Sequence, residues 1–294
     1  MINLDDRIKY YLGDTNYTDY EPDKIDPVIH DYPFHTSQNY SVLKSGYVVD
    51  INRYKSYIGN DFWCQCGDFS YIGDRIPILV KTRKVNCSMS KGIIANLNSS
   101  RHWQYCERAI KHKISWKQKK NKVIWRGATT GIYSNIFIYN YHYKAYSREN
   151  FVKDYHTKYD IGFASIVQCC DHLREYAKKP CPVVEMLNYK YIPIIDGNDK
   201  SSSLNWVLAS NSVPIMPKSD FNSWLCEPWL VPNVHYVEVK EDFSDFDEKI
   251  EWCKTHDDEC KEIAYNGQKF IIENFTNLED TKYIEREIIK KTIK

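Results

Sequence analysis

The feature that most constrains this chain is the alternation of short apolar strands and helical segments after about residue 120. Strand-like apolar runs occupy residues 123–125, 191–195, 213–216 and 235–239. Apolar side chains at helical spacing follow them, as in Phe246, Ile250 and Cys253. Repeated strand–loop–helix units predict a parallel sheet with helices on its faces. We therefore expect an α/β fold with a doubly wound, nucleotide-binding pattern.

Two of these strands end in loops rich in glycine and hydroxyl residues. In an open α/β sheet, ligands bind beyond the carboxyl ends of the strands, where backbone amides, hydroxyls and a guanidinium together suit a diphosphate. The candidate residues are Arg126, Gly127, Ala128, Thr129 and Thr130 in the first loop, and Asp196, Gly197, Ser201, Ser202 and Ser203 in the second.

Each loop also has a purely structural interpretation. The first is explained by a turn with an ion-paired arginine, and ordinary capping of the following helix explains one serine of the second. Neither loop matches G-x-x-x-x-G-K-[ST] or G-x-G-x-x-G, which argues against an NTPase and a dinucleotide dehydrogenase.

The chain has 294 residues, which favours two domains. We place one domain at residues 1–118 and a second at 119–276, with a C-terminal helix over 277–294 that packs back on the first. Pro22, Pro27 and Pro33 break long helices, so the first sixty residues are expected to be loop-rich with one short helix. The apolar run 76–80 predicts a buried strand.

Charge and composition exclude several function classes. The formal net charge is +1, from 40 basic and 39 acidic residues, which argues against sequence-independent nucleic-acid binding. No apolar run approaches the ~18 residues of a membrane span. The amino terminus carries Asp5 and Asp6 and has no apolar core of a secretory signal, which favours the cytoplasm. The cysteines lack zinc-ribbon spacing, so we expect no structural metal.

Five segments stand out by their order along the chain: VIWRGATTG at 123–131, NYKYIPIIDGN at 188–198, SSSLNWVLASNS at 201–212, PNVHYVEV at 232–239 and EIAYNGQKF at 262–270. This order resembles the capsule-associated (CAP-type) glycosyltransferases of family 90, which include the Rumi-type protein O-glucosyltransferases. Upstream, residues 66–82 (CGDFSYIGDRIPILVKT) look like the family's aspartate-bearing segment. The composition and length further resemble the versions carried by large algal DNA viruses, among them a xylosyltransferase.

The resemblance implies a GT-B fold, in which two Rossmann-like domains face a central cleft. The first domain would then hold the acceptor and the second the UDP-sugar. Members of the family invert the anomeric centre without a metal, so Asp245-Phe246-Asp247 is not expected to act as a metal-binding D-x-D motif.

The resemblance assigns roles only to residues that match the family's motifs. Asp68 matches the base that removes the acceptor proton, and Arg126 with the amides of residues 127–130 matches the diphosphate clamp. The three serines at 201–203 would complete the phosphate site, with Asn205 beside it. Trp63 and Tyr71 are candidates for stacking on the acceptor.

One departure concerns the cations of the donor site. Rumi-type enzymes place an arginine and a lysine where this chain has Ser203 and Asn205. Lys200, Lys218 or the dipole of the following helix would have to supply the missing positive charge.

The predicted function is therefore an inverting, metal-independent glycosyltransferase that uses a UDP-sugar, xylose ahead of glucose, without a cofactor. The acceptor is a glycan or glycoprotein hydroxyl, and the location is the cytoplasm, that of the host if the chain is viral. Two alternatives stay open: a catalytically inactive nucleotide- or glycan-binding module, and a sulfo- or phosphotransferase with a similar diphosphate clamp.

Overall fold

The computed structural model describes residues 1–13, 34–35, 45–67, 78–87, 92–112, 114–132 and 146–292. The chain divides into two compact units. The first comprises residues 1–101, 220–229 and 273–294, and the second comprises residues 102–219 and 230–272. No helix in the described part of the chain is both long and apolar enough to cross a membrane.

The helices and strands of the described residues are numbered in chain order. The strands are β1 (Phe34–His35), β2 (Trp63–Cys64), β3 (Leu79–Val80), β4 (Thr82–Lys84), β5 (Ile93–Ile94), β6 (Lys120–Ala128), β7 (Asp160–Ser165), β8 (Tyr189–Pro193), β9 (Val213–Met216), β10 (Phe221–Ser223) and β11 (Val237–Glu238). The α-helices are α1 (Leu4–Leu12), α2 (Ser45–Ile58), α3 (Ser99–His102), α4 (Cys106–Lys111), α5 (Arg148–Tyr155), α6 (Val183–Met186), α7 (Ser203–Leu208), α8 (Phe246–Thr255), α9 (Asp257–Phe275) and α10 (Leu278–Lys290). Short 3₁₀ turns cover Trp116–Gln118, Asp171–Tyr176 and Glu227–Trp229.

The second unit is built on a five-stranded sheet in the order β11-β9-β8-β6-β7, with every pair parallel. In order of occurrence along this unit, the strands lie 5-4-3-1-2, which is the flavodoxin-like doubly wound order. The prediction of an α/β fold with a parallel sheet is confirmed.

Alternate side chains along the strands of this unit pack into one core. Val123 and Trp125 of β6, Ile161 and Phe163 of β7, and Tyr191 of β8 all belong to one buried cluster. Helices α5, α8 and α9 bury their apolar sides in the same cluster. The intervening strand residues are also buried, for example Ile124 and Ile192, so apolar groups cover both faces, as parallel sheets require.

The first unit holds two smaller sheets. One has the order β1-β2-β3-β5 and the other pairs β10 with β4 in antiparallel fashion. Helix α10 packs on α1 and α2. The guanidinium of Arg53 on α2 bonds to both carboxylate oxygens of the buried Glu285 on α10, at 3.1 and 3.0 Å, which fixes the C-terminal helix on this unit.

The observed units do not follow the predicted boundary at every point. Residues 102–118, which the sequence places in the first domain, belong to the second unit, whereas 220–229 belong to the first. Residues 220–229 belong to the first unit because β10 pairs along its whole length with β4.

The expectation of a single short helix in the first sixty residues is wrong. The described part of this stretch holds two helices, and α2 has 14 residues. The three prolines that argued against a helix all precede α2, and Tyr47, Ile51 and Tyr54 bury one side of it at helical spacing.

Candidate functional site

The carboxyl end of the parallel sheet contains a topological switch point between β6 and β8. From β6 the chain continues to β7 on one side, and β8 pairs with β6 on the other. The connections that leave β6 and β8 therefore diverge, and the space between them is where doubly wound sheets bind their ligands. Of the two loops singled out in the sequence, the one at 126–131 comprises the last three residues of β6 and the turn after it, and the one at 196–203 follows β8.

The two loops touch each other through glycine backbone. The amide of Gly131 donates to Asn198 Oδ1 at 2.8 Å. A Cβ on Gly131 would lie 2.4 Å from the carbonyl oxygen of Gly197, and its φ is +82°. A Cβ on Gly197 would in turn lie 2.6 Å from Thr130 Oγ1. Gly131 requires glycine, because its φ is positive and a Cβ would meet backbone. A side chain at Gly197 would displace the side chains of Thr130 and Arg148.

Several predicted residues of the first loop have structural partners. Thr129 is fully buried, and its hydroxyl exchanges hydrogen bonds of 2.7 Å with both backbone groups of Val167 after β7. Gly127 leaves room for the ring of Trp125, which a Cβ would approach to 2.4 Å. These contacts fix the shape of the loop.

Arg126 lies beside β7. Its Nη2 bonds to Asp160 Oδ1 at 2.7 Å, its Nη1 to the carbonyl of Asp160 at 2.9 Å, and its Nε to the carbonyl of Lys179 at 3.2 Å. Burial acts to raise the pKa of Asp160, but the hydrogen bonds from Arg126 and Lys178 outweigh it and lower that pKa. Asp160 pairs with Ile124, two residues before Arg126, so the guanidinium points back toward the amino ends of the strands.

Arg148, which the sequence analysis did not single out, lies against both loops. Its Nη1 donates to Ala128 O at 3.0 Å and to Thr130 Oγ1 at 2.7 Å. Its Nε and Nη2 donate to the carbonyl of Ile195 at 3.1 and 2.9 Å. Ser147 followed by Asn150 is a readable helix-start signal, but nothing near Arg148 indicates acceptors 20 and 47 residues away.

The serines of the second loop do not cap α7 through their side chains. The N-cap residue Ser202 makes no side-chain cap bond. The amide of Ser201 donates to Asp196 Oδ1 at 2.8 Å, and the hydroxyls of Ser201 and Ser203 lie 2.7 Å apart. With six residues, α7 has a small dipole.

A buried cation lies next to this helix start. The ammonium of Lys200 donates to Asn205 Oδ1 at 3.0 Å, and both side chains are almost fully buried. The side chain of Lys200 therefore reaches Asn205, one of the two positions where this sequence lacks a basic residue.

The structure thus brings together only part of the predicted site. The loops after β6 and β8 meet, whereas the partners of Arg126 are Trp125, Asp160 and Lys179 and that of Ser203 is Ser201. Trp63 lies half-buried on β2 of the first unit. Asp68 and Tyr71 lie outside the described residues, so their roles stay predictions.

The acids of the D-x-D segment are engaged with protein groups. Asp247 accepts from Lys158 and, at 2.8 Å, from Tyr159 Oη, while Asp245 accepts from the amide of Lys240 at 2.9 Å. Within the described ranges, no group of three or more metal-ligating side chains converges.

Comparison with known proteins gives one family match. The model of glycosyl transferase family 90 matches residues 95–286, which is more than half of the chain. The matched region includes both loops, Arg148 and the whole parallel sheet.

Three relatives illustrate the similarity. The O-glucosyltransferase LpsA of Dichelobacter nodosus is 28% identical over 77% of this chain and 66% of its own length. Protein O-glucosyltransferase 2 of Danio rerio is 38% identical over 29% of this chain and 17% of its own length. The uncharacterized protein 179R of Invertebrate iridescent virus 6 is 35% identical over 34% of this chain and 9% of its own. The chain therefore covers less than two thirds of each of these relatives.

Proposed function

Because this chain belongs to glycosyl transferase family 90, we propose that it moves a sugar from a UDP-sugar to a hydroxyl of a glycan or glycoprotein. The proposal includes inversion at the anomeric carbon, no metal requirement and a GT-B arrangement. UDP-xylose is the proposed donor. The relatives that are named O-glucosyltransferases make UDP-glucose the donor to compare with it.

The observation that supports donor binding is the contact between the two loops at the switch point. The Gly131–Asn198 hydrogen bond and the Gly131–Gly197 approach place two glycine-containing loops side by side at the carboxyl ends of β6 and β8. A diphosphate needs room to approach the backbone, and glycines at this point keep side chains out of the way.

Inverting transfer is a single displacement at the anomeric carbon. The acceptor oxygen forms the new bond as the bond to the β-phosphate oxygen of UDP breaks, and the acceptor proton passes to a base. Asp68 is the proposed base. The departing diphosphate gains negative charge, so cations and amides fixed in advance lower the barrier. Lys200 is the proposed replacement for the missing lysine, because its ammonium already contacts Asn205.

Calorimetry with UDP, followed by an assay of UDP release with a panel of donors, tests the proposal. We expect UDP to bind, and transfer to occur with UDP-xylose or UDP-glucose in the presence of a chelator. UDP binding without transfer would identify an inactive binding module. Preference for an adenine-based donor would identify a sulfo- or phosphotransferase.

Two substitutions test the proposed roles. Asp68→Asn should abolish transfer while UDP affinity stays nearly unchanged, and full activity in this variant removes Asp68 from the mechanism. Arg126→Ala should weaken UDP binding if the guanidinium leaves Asp160 for the diphosphate. Unchanged affinity with a lower melting temperature would show that Arg126 only joins β6 to β7.

A further inference from the structure

We propose that Arg148 is a positioning residue that holds the loops after β6 and β8 together, so that both face the same ligand. Its consequence for donor binding depends on the proposed function, but the connection itself does not. The guanidinium of Arg148 lies across the switch point, with hydrogen bonds to Ala128 and Thr130 on one side and to Ile195 on the other.

Arg148 is held by a rigid element. It is the first residue of α5, and Ser147 and Asn150 form a capping box at this helix start, with the amide and hydroxyl of Ser147 both bonded to Asn150 Oδ1. One turn later, Phe151 and Val152 are fully buried in the core beneath the sheet. The guanidinium is therefore placed by a capped and packed helix.

The acceptors of Arg148 come from separate parts of the chain. Ala128 O and Thr130 Oγ1 share one terminal nitrogen, and Ile195 O accepts from the other terminal nitrogen and from Nε. A planar fork with fixed N–H directions can make this pattern. A lysine ammonium is a single point and cannot reach both loops with the same geometry.

The surroundings support a role at the loops beyond general packing. The guanidinium carbon lies over the ring of Trp125, 5.8 Å from the ring centre. A Cβ on Gly197 would lie only 3.2 Å from this same carbon, so the second loop rests directly on the guanidinium. Movement of Arg148 would therefore move Gly197, and with it the contact to Gly131.

Arg126 makes a different set of contacts in the same sheet. It joins two adjacent strands and bonds to the carboxylate of Asp160. Arg148 instead joins two loops whose strands both end at the switch point.

The test uses Arg148→Lys, which keeps the charge and loses the fork, with Arg174→Ala as control. Arg174 is exposed and pairs with Asp171, on a 3₁₀ turn of the same unit. Hydrogen exchange of peptides covering 127–132 and 194–203, without ligand, reports the loops. Calorimetry with UDP reports their consequence.

We expect Arg148→Lys to speed exchange in both loops, to leave β9 protected, and to weaken UDP binding by about tenfold to a hundredfold. Arg174→Ala should change neither. Unchanged exchange in both loops overturns the proposal, and so does faster exchange with unchanged UDP affinity. If the wild type binds no UDP but Arg148→Lys still exchanges faster in both loops, Arg148 connects the loops and the proposed donor is wrong.

A second variant covers the case in which Arg148→Lys does not fold. Thr130→Val removes one acceptor and leaves the arginine in place. Thr130→Val should speed hydrogen exchange in 127–132 more than in 194–203. It should weaken UDP binding less than Arg148→Lys does. Equal protection in Thr130→Val and wild type would count against the connection.

Discussion

The two ends of the parallel sheet use basic side chains in different ways. At the carboxyl end, Arg148 bonds to carbonyls and a hydroxyl of two loops. At the amino end, Lys190 bonds to Asp257, which also accepts from the indole of Trp116 at 3.0 Å, and Lys119 bonds to Ser212 Oγ at 2.7 Å. Arg148 holds two loops together, whereas Lys119 and Lys190 bond to groups near the starts of strands and of α9.

This difference separates function from stability within one unit. Substitutions at the carboxyl end should reduce ligand binding and transfer by more than their effect on unfolding free energy explains. Substitutions at the amino end should change the unfolding free energy and leave ligand binding unchanged.

Gly131→Ala should give the largest functional loss. Alanine at φ +82° costs about 1–2 kcal/mol, and its Cβ would lie 2.4 Å from the Gly197 oxygen, so the loops must separate. A displacement of about 1 Å at a catalytic site can lower the rate about a hundredfold. Transfer and UDP affinity are measured together.

Gly59→Ala is the matched control for this variant. Gly59 also has a positive φ, +69°, but a Cβ there meets no atom within 4 Å. It should lose a similar amount of stability through backbone strain and keep its activity. Equal activity losses in the two variants would mean that strain, not the loop contact, explains the effect of Gly131→Ala.

Lys119→Met should change how stability depends on pH. Burial lowers the pKa of Lys119 from 10.5 to about 7. Between these values the unfolded chain holds a proton that the folded chain lacks, so this residue makes stability rise with pH and destabilises the fold most below about pH 7. The effect is on the order of 5 kcal/mol across the interval, at about 1.4 kcal/mol per pH unit.

The measurement is the difference in unfolding free energy between wild type and Lys119→Met from pH 6.5 to 10, which cancels the titration of other groups. The variant should gain most at the low end of this range. The pKa of His112, lowered by burial and by the nearby charge of Lys119, should rise in the variant. A constant difference across the pH range would show that Lys119 stays charged in the fold.

Asp257→Ala should lower stability by about 1–2 kcal/mol, because it leaves Lys190 buried without its carboxylate partner. The loss is smaller than for a fully buried pair, since Asp257 is about half exposed. Asp257→Asn keeps an acceptor for Trp116 and should lose less. Thermal unfolding measures both, and UDP affinity should be unchanged. A loss of affinity would contradict the separation of the two ends.

The sequence allowed the parallel sheet and both loops to be predicted, because these depend on local patterns. Apolar runs mark β6, β8 and β9, and glycines next to polar residues mark where β6 and β8 end. The role of Arg148 was missed, because its acceptors are brought to it only by the pairing of β6 with β8.

Two other features depend on long-range packing in the same way. The assignment of β10 to the first unit follows from its pairing with β4, which lies about 140 residues earlier in the chain. The serines at 201–203 fit a local capping pattern, but Asp196 accepts the amide of Ser201 in the folded loop. A local preference for capping was replaced by a contact within the loop.

Lys120→Met should have the smallest effect and gives the sharpest control for Lys119. The two lysines are adjacent in sequence, but Lys120 is exposed, with its ammonium 4.6 Å from the ring centre of Tyr189. An exposed contact of this kind contributes about 0.5–1 kcal/mol at most. The variant should therefore keep the wild-type pH dependence, UDP affinity and transfer, with a slightly lower melting temperature. If Lys120→Met and Lys119→Met changed the pH dependence equally, burial would not be the cause, and the amino end of the sheet would have no special role in stability.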